Sequence, residues 1–209
     1  MEDSAHITIS YRSGFAMEAM ATRSINAGWK VGRNGYLGAV YSLFGDTEYN
    51  EQQACLTGGM QVEEWLSLGV RGHYCRMQMD DVHYDTRQWM GLSAVARFSI
   101  GKRVRLGIEG GTRPWDDIHP WRGLVALEYR PNRGMLSVVQ LENEERWRVR
   151  LGVEYCYRDH FLFRCGMATA PLLLTFGLGF RSTGYYIDLA VESHNILGLT
   201  PQISLGLWF

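Results

Sequence analysis

Apolar and polar residues alternate with period two along most of this chain. In the segment 147–157 the two parities separate clearly, with Trp147, Val149, Leu151, Val153, Tyr155 and Tyr157 against Arg148, Arg150, Gly152, Glu154 and Cys156. Successive side chains of a β-strand point to opposite faces, so this pattern predicts a strand with one apolar and one polar face. The same split recurs at 66–74, 90–98, 104–110, 172–180 and 185–191, and no long segment has a convincing helical period.

The alternation and the turn residues between the segments predict about fourteen strands. Their predicted ranges are 5–12, 21–31, 35–44, 50–60, 64–77, 87–99, 102–111, 121–130, 134–142, 145–157, 160–167, 171–181, 184–192 and 201–209. Residues 1–20 are predicted to form either a first strand or a plug. If the first segments form a plug and one further strand is lost, about twelve strands remain.

Strands of this kind build either a soluble sandwich, whose apolar face is the core, or a membrane barrel, whose apolar face meets lipid. Many segments have about 9–11 residues, the length that crosses a bilayer when tilted. Aromatic residues near predicted strand ends match the expected interfacial girdles: Trp65, Tyr74, Trp89, Phe98, Trp121, Tyr129, Trp147, Tyr157, Phe161 and Phe209. We therefore predict an all-β fold, a single transmembrane antiparallel up-and-down β-barrel over residues 1–209.

The predicted connections alternate between short and long. Outer-membrane barrels have short periplasmic turns and longer outer loops. With the C-terminus in the periplasm, the turns fall at 32–35, 61–63, 101–103, 130–134, 158–160 and 181–184. The outer loops fall at 45–50, 78–88, 111–120, 143–145, 168–170 and 193–200, of which 143–145 and 168–170 are short, and 13–20 is another if residues 5–12 form a strand. This alternation favours the outer membrane of a Gram-negative bacterium as the location.

Composition excludes several other classes. Lys and Arg (21) nearly balance Asp and Glu (22) in 209 residues, which excludes a strongly basic nucleic-acid binder. The counts of 24 Gly, 11 Tyr, 7 Trp and 8 Phe with 5 Pro are typical of a β-rich chain. The longest apolar run, near 171–174, is too short for a transmembrane helix, and the N-terminus as written has no signal-peptide pattern.

The polar parity collects thirteen ionisable residues that would face the lumen of a barrel. They are Arg71, His73, Arg97, Arg105, Glu109, Arg122, Glu128, Arg148, Arg150, Glu154, Arg164, Asp188 and Glu192. They form either a network of paired charges that fills the interior or a polar channel with a selectivity ring. We favour the paired network, because many guanidinium groups face several carboxylates and buried unpaired charges are costly.

Two predicted outer loops combine acidic, histidine and aromatic residues. The first holds Asp80, Asp81, His83 and Asp85, which suggest either a divalent-cation site or ordinary solvated polarity, and we favour the second interpretation. The second loop is a candidate contact surface for a partner protein, since two tryptophans flank an acidic centre. Its residues are Trp115, Asp116, Asp117, His119 and Trp121.

Catalysis and cofactor chemistry find little support in the sequence. Ser67, Ser93 and His73 share the polar parity, but the spacing supplies no third orienting group, so we predict that the protein is not an enzyme and has no cofactor or metal centre.

The four cysteines are predicted to be free thiols. Cys55, Cys75 and Cys156 fall on the polar parity and Cys165 on the apolar one, and no CxxC spacing indicates a zinc site. A simple hairpin register around 62–63 places Cys55 opposite Val70 rather than Cys75, although pairs across the barrel stay open.

The last third of the chain carries a recognisable set of Gly- and aromatic-rich segments. They are Arg150-Leu151-Gly152-Val153-Glu154-Tyr155, Arg158-Asp159-His160-Phe161, Phe176-Gly177-Leu178-Gly179-Phe180, Tyr186-Ile187-Asp188-Leu189-Ala190 and the closing segment 194–205. The region 147–209 resembles the PorV/PorQ group of outer-membrane barrels from Bacteroidetes, which are similar to the fourteen-strand long-chain fatty acid transporter type (FadL). The chain also ends on an apolar strand with a terminal Phe209, which resembles the C-terminal signal of bacterial outer-membrane proteins.

The resemblance implies a part in type IX protein secretion or an accessory place in a larger envelope complex. Together with the modest loops and the charged lumen, it leads us to predict a non-enzymatic accessory or structural subunit of such a complex, for secretion or outer-membrane protein assembly. The alternative is a passive channel for small or hydrophobic solutes, which requires an open lumen or a lateral gap. The expected partners are outer-membrane lipid, lipopolysaccharide and other outer-membrane or periplasmic envelope proteins, and no nucleic acid.

Overall fold

The computed structural model describes residues 5–80, 85–112, 121–143 and 146–209. The strands are β1 Ala5–Ser13, β2 Ala21–Val31, β3 Gly35–Gly45, β4 Tyr49–Glu63, β5 Leu66–Met79, β6 Arg87–Ile100, β7 Val104–Thr112, β8 Trp121–Asn132, β9 Met135–Asn143, β10 Trp147–Tyr157, β11 Phe161–Ala168, β12 Leu173–Ser182, β13 Tyr185–His194 and β14 Gly198–Trp208. Two short 3-10 turns, Gly14–Ala16 and Glu18–Met20, connect β1 to β2. No helix in these ranges is long and apolar enough to cross a membrane.

The strands form one closed antiparallel barrel. Each strand pairs with its neighbours in the chain, and β1 closes the sheet by pairing with β14. The predicted all-β barrel and its fourteen strands are confirmed, and the alternative of about twelve is wrong. Residues 5–13 lie in the wall, because β1 pairs with both β2 and β14.

The two ends of the barrel differ in the length of their connections. At one end, called the turn end here, the connections 32–34, 64–65, 101–103, 133–134, 158–160 and 183–184 have two or three residues. At the other, the loop end, the connections 14–20, 46–48, 80–86, 113–120, 144–146, 169–172 and 195–197 have three to eight. Since barrels of this kind place short turns in the periplasm, the loop end is the outer side.

The outward face of the wall is apolar and the inside has no apolar core. Outward side chains such as Leu56, Val70 and Met90 are 71%, 64% and 75% exposed. Among the described residues the buried hydrophobic side chains are only Ala21, Cys75, Leu162 and Ala168. A soluble sandwich would bury its apolar face, so this arrangement fits a surface that meets lipid.

Aromatic side chains pack against each other on the outward face at the turn end. The rings of Trp65 and Phe98 lie 6.2 Å apart, and those of Phe161 and Phe180 lie 5.5 Å apart. The girdle prediction is wrong for Trp89, which lies opposite Cys75 on the inward face of β6. Successive residues of a strand point to opposite faces, so the position of Trp89 near the end of β6 did not show whether its side chain points outward or inward.

The hairpin of β4 and β5 differs from the simple register. Cys55 lies opposite His73, not Val70, because the turn is at 64–65 and a β-bulge shifts the pairing between Gln61 and Glu63. The bulge adds one residue to β4, so that inward-facing residues of β4 lie opposite inward-facing residues of β5 along the rest of the hairpin. All four cysteines are free thiols, with Cys75 buried and Cys165 exposed.

Inward glycines make room for large neighbouring side chains near the barrel closure. The ring of Tyr186 lies over Gly206, where a Cβ atom would be 2.0 Å from a ring carbon. The Tyr186 hydroxyl is 2.6 Å from Thr8 Oγ1, so it links β13 to β1 across β14. The same ring stacks on Trp208 at 5.4 Å.

We expect Gly206→Ala to destabilise the closure by about 1–3 kcal/mol, because the added methyl group displaces the Tyr186 ring. The midpoint of thermal unfolding in detergent, followed by the electrophoretic mobility of the folded barrel, measures this change. Gly152→Ala is the matched control, since a Cβ there meets no atom within 4 Å. Equal midpoints for the two variants would contradict the role of Tyr186.

Candidate functional site: the lumen wall

The thirteen ionisable residues of the polar parity lie on the inward face of β5–β8, β10, β11 and β13. All of them except His73 and Arg97 take part in the ion pairs described below. His73 is buried and lies over Gly91, where a Cβ atom would be 2.1 Å from its Nε2.

Glu109 holds two arginines from neighbouring strands. Its Oε1 is 2.9 Å from Arg122 Nη2 and 3.3 Å from Arg71 Nη1. Arg122 also donates to Ser93 Oγ at 3.3 Å, and Arg71 donates through Nε to Thr57 Oγ1 at 3.3 Å. Charge-assisted hydrogen bonds of this kind orient the guanidinium groups along the wall.

Glu142 holds the next two arginines around the wall. Arg150 Nε is 3.3 Å from Glu142 Oε2, and Arg148 Nη1 is 4.0 Å from Glu142 Oε1. Gln140 donates to the same carboxylate at 3.1 Å. We call Arg71, Arg122, Arg148, Arg150, Glu109 and Glu142 the arginine cluster. It contains four guanidinium groups and two carboxylates, so its formal charge is positive.

The wall on β10–β13 and β1 is balanced or acidic. Arg164 is 2.7 Å from Glu154 Oε2 and 2.6 Å from Asp188 Oδ1, so one cation holds two anions. Arg12 pairs with Glu192 at 2.6 Å. On β7 and β8, nearer the turn end than the arginine cluster, Arg105 pairs with Glu128 at 3.8 Å.

These ion pairs run along the wall and do not cross the lumen. Each of them joins strands that are adjacent or next but one around the barrel. Fourteen strands spaced about 4.8 Å apart and tilted about 40° place opposing backbones about 28 Å apart, which is more than two facing side chains can bridge.

Water reaches the charged side chains from inside the barrel. The Arg105 and Arg150 side chains are each 49% exposed, although both point inward. A recess of 230 Å³ lies between Arg71, Glu109, Arg122, Glu142 and Arg150, and a larger space of 700 Å³ lines the inner face of β9–β14. The inner wall is therefore a hydrated, charged surface.

Sequence reasoning missed two members of the ion pairs. Glu142 was overlooked because alternation in β9 is blurred, with Ser137 outward and Gln140 inward. Glu142 has the same parity along β9 as Gln140, and this shared parity was the signal that could have identified it. Arg12 was overlooked although its parity with Thr8 and Ser10 in β1 is regular.

The predicted outer-loop sites lie mostly outside the described residues. These include Asp81, His83, Trp115, Asp116, Asp117 and His119. Trp121 begins β8 and is 70% exposed, and Asp80 and Asp85 are exposed. The described ranges hold no group of three or more potential metal ligands from His, Cys, Asp and Glu.

The candidate nucleophiles have other partners. Ser93 accepts a hydrogen bond from Arg122 and lies opposite Arg71, whereas His73 lies opposite Gly91. The Ser93 hydroxyl is therefore held by a guanidinium group, which does not act as a general base at neutral pH.

No family model matches the sequence, and no curated protein matches it significantly. Solved structures match it over the whole chain. The outer membrane protein Omp33 of Acinetobacter baumannii is 7% identical, with a TM-score of 0.73 over 99% of this chain and 98% of that one. The toluene transporter TodX of P. putida is 8% identical, with a TM-score of 0.72 over 100% and 91%. A mutant porin of Rh. blastica is 8% identical, with a TM-score of 0.59 over 99% and 99%.

At these identities the likeness shows the fold, which is that of bacterial outer-membrane β-barrels. The predicted outer-membrane location agrees with this fold. The names of these neighbours describe an outer membrane protein, a transporter and a porin, and none describes an enzyme. The resemblance implied a fourteen-strand barrel, and the structure confirms this strand number. The narrower assignment to the PorV/PorQ group stays a prediction.

We expect water-soluble, charged thiol reagents to label Cys156 but not Cys165 in the bilayer-embedded protein. Cys156 faces the hydrated inner wall and Cys165 faces outward on β11. Mass spectrometry of single-cysteine variants measures the labelling, and an uncharged, lipid-soluble maleimide is the control that should reach Cys165. Protection of Cys156 from the charged reagent would contradict a hydrated lumen.

Proposed function

We propose that the protein is a passive outer-membrane channel that conducts small polar and charged solutes through its lumen. The observation that carries this proposal is that the charges form pairs along the wall and leave the space between opposing walls accessible to water. A barrel filled by its own side chains would bury them.

The arginine cluster supports a preference for anions. It carries four guanidinium groups against two carboxylates, and it lies near the loop end of β7–β10, where solutes would enter from outside. Rings of Arg and Lys side chains select anions in other pores. The group of Arg164, Glu154 and Asp188 on β10, β11 and β13 has one cation for two anions.

Polar solutes suit this lumen better than hydrophobic ones. TodX is described as a monoaromatic hydrocarbon channel, so a barrel of this fold can conduct apolar molecules. Here the described strand residues form continuous antiparallel ladders around the barrel, with no lateral gap that would lead an apolar solute into the bilayer. An axial path past paired charges favours hydrated solutes. The predicted accessory role in protein secretion stays a prediction, and no contact among the described residues favours it.

We expect the purified protein to form stable single channels in planar bilayers, with chloride more permeant than potassium. Arg150→Gln should lower the permeability ratio of chloride to potassium about twofold at about 0.1 M salt. A unit charge about 8 Å from the permeant ion is worth about 0.5 kcal/mol in water, salt screens it to about half of that, and it acts with opposite sign on the two ions. Glu142→Gln should raise the ratio. The zero-current potential in a salt gradient measures both changes.

Arg33→Gln is the matched control, because it removes the same charge from the turn 32–34 outside the lumen. It should leave the ratio unchanged. A folded protein that gives no conductance would overturn the channel and return the accessory subunit to first place. Equal effects of Arg150→Gln and Arg33→Gln would overturn selection by the arginine cluster.

A further inference from the structure

Three rows of outward side chains cross strands β2–β6 in continuous register. The row nearest the loop end, called the polar row, is Arg23, Leu43, Gln52, Arg76 and Gln88. The next, the aromatic row, is Ile25, Tyr41, Ala54, Tyr74 and Met90. The third, the floor row, is Ala27, Ala39, Leu56, Gly72 and Leu92.

The aromatic and floor rows enclose an apolar groove of 860 Å³ on the outer surface. Small residues at Ala27, Ala39 and Gly72 leave the hollow, while Met90 and Leu92 stand beside it at 75% and 69% exposed. Its volume lies in the upper part of the range of about 300–1,000 Å³ typical of ligand pockets.

The polar row gives this groove a cationic rim at the loop end. Each of its members lies within three residues of the loop end of its strand. Within the part of the chain that the structure describes, Arg23 and Arg76 form no ion pair. A guanidinium group without a counterion at the membrane surface attracts an anion, which the terminal nitrogens of these two side chains can meet.

The combination of an apolar groove and a cationic rim is confined to one side of the barrel. On β9–β14, the described outward positions near the loop end carry no Lys or Arg. Glu51 lies beside Gln52 on β4, but it is on the inward face, where it accepts a hydrogen bond from Tyr49. The other described carboxylates near the rim, those of Asp46, Glu48, Asp80 and Asp85, belong to the connections beyond it. An anion at the level of Arg23 and Arg76 therefore meets cations and amides.

The charges favour a lipid over a second copy of the chain. Two copies that met symmetrically through this face would bring like-charged arginines to one interface. An anionic lipid of the outer leaflet presents phosphate at the headgroup and acyl chains below it, in the same order as the polar row and the groove. Arg23 and Arg76 are three strand spacings apart, about 14 Å, which suits a broad headgroup with two phosphates rather than a single phosphate.

We propose that this groove binds a phosphorylated, multiply acylated glycolipid of the outer leaflet, with its phosphates at Arg23 and Arg76 and its acyl chains between Tyr41, Tyr74 and Leu92. The site depends on the outer-membrane location and not on conduction. A lumen that conducts no ions would therefore leave the lipid site intact.

Native mass spectrometry of the full chain, titrated with bis-phosphorylated lipid A in detergent, tests the site. Each of Arg23→Gln and Arg76→Gln should weaken binding about fivefold, and the double variant about 30-fold. Lipid A stripped of its phosphates should bind the wild-type protein as weakly as intact lipid A binds the double variant.

Gly72→Leu tests the groove separately, since a Cβ at Gly72 meets only Leu92 Cδ2 at an ordinary 3.8 Å. This variant should fold normally and weaken both lipids, because it fills the hollow. Arg146→Gln, at an exposed position beside β10 at the loop end, is the control and should bind like the wild type.

Three results would overturn the proposal. One is equal binding by the double variant and the wild type. Another is equal loss in the double variant and Arg146→Gln, which indicates unspecific surface lipid. The third is a lipid-free dimer that Gly72→Leu dissociates, which indicates that a second copy covers the groove.

Discussion

The hydrogen-bond ladder between β1 and β14 is the interaction on which the rest of this structure depends. It pairs residues 6–12 with 202–208 and leaves no strand edge. In lipid an unpaired backbone group costs several kcal/mol, so a sheet with an apolar outer face is stable there only when it closes. Thr8, Tyr186 and Gly206 reinforce this seam from inside.

Closure also decides what the charges can do. On an open sheet the inward arginines would be solvent-exposed residues of little energetic consequence. On a closed wall they face one another in a confined space, where pairs such as Arg164 with Glu154 and Asp188 form between neighbouring strands. Pairing along the wall removes the cost of unpaired charge while it leaves the centre to water.

The outer surface is less uniform than a simple lipid-facing belt. Small and large apolar residues align in register across β2–β6 and form a groove, and two arginines lie at its outer rim. The inner wall and this groove are separate surfaces of the same strands, since alternate residues serve each. One barrel can therefore carry a solute path inside and a lipid site outside.

The sequence by itself determined the number of strands, the two faces of most of them and the inward position of residues such as Arg71 and Glu109, because period-two alternation is a local property of each strand. It did not determine which charges pair, since the Arg71–Glu109 contact bridges β5 and β7 and requires the register of both hairpins. The bulge at 61–63 shifted Cys55 from Val70 to His73, and blurred alternation in β9 concealed Glu142. Rows such as Arg23–Gln52–Arg76 exist only after four strands align, so the tertiary structure alone decided the open, charged wall and the groove.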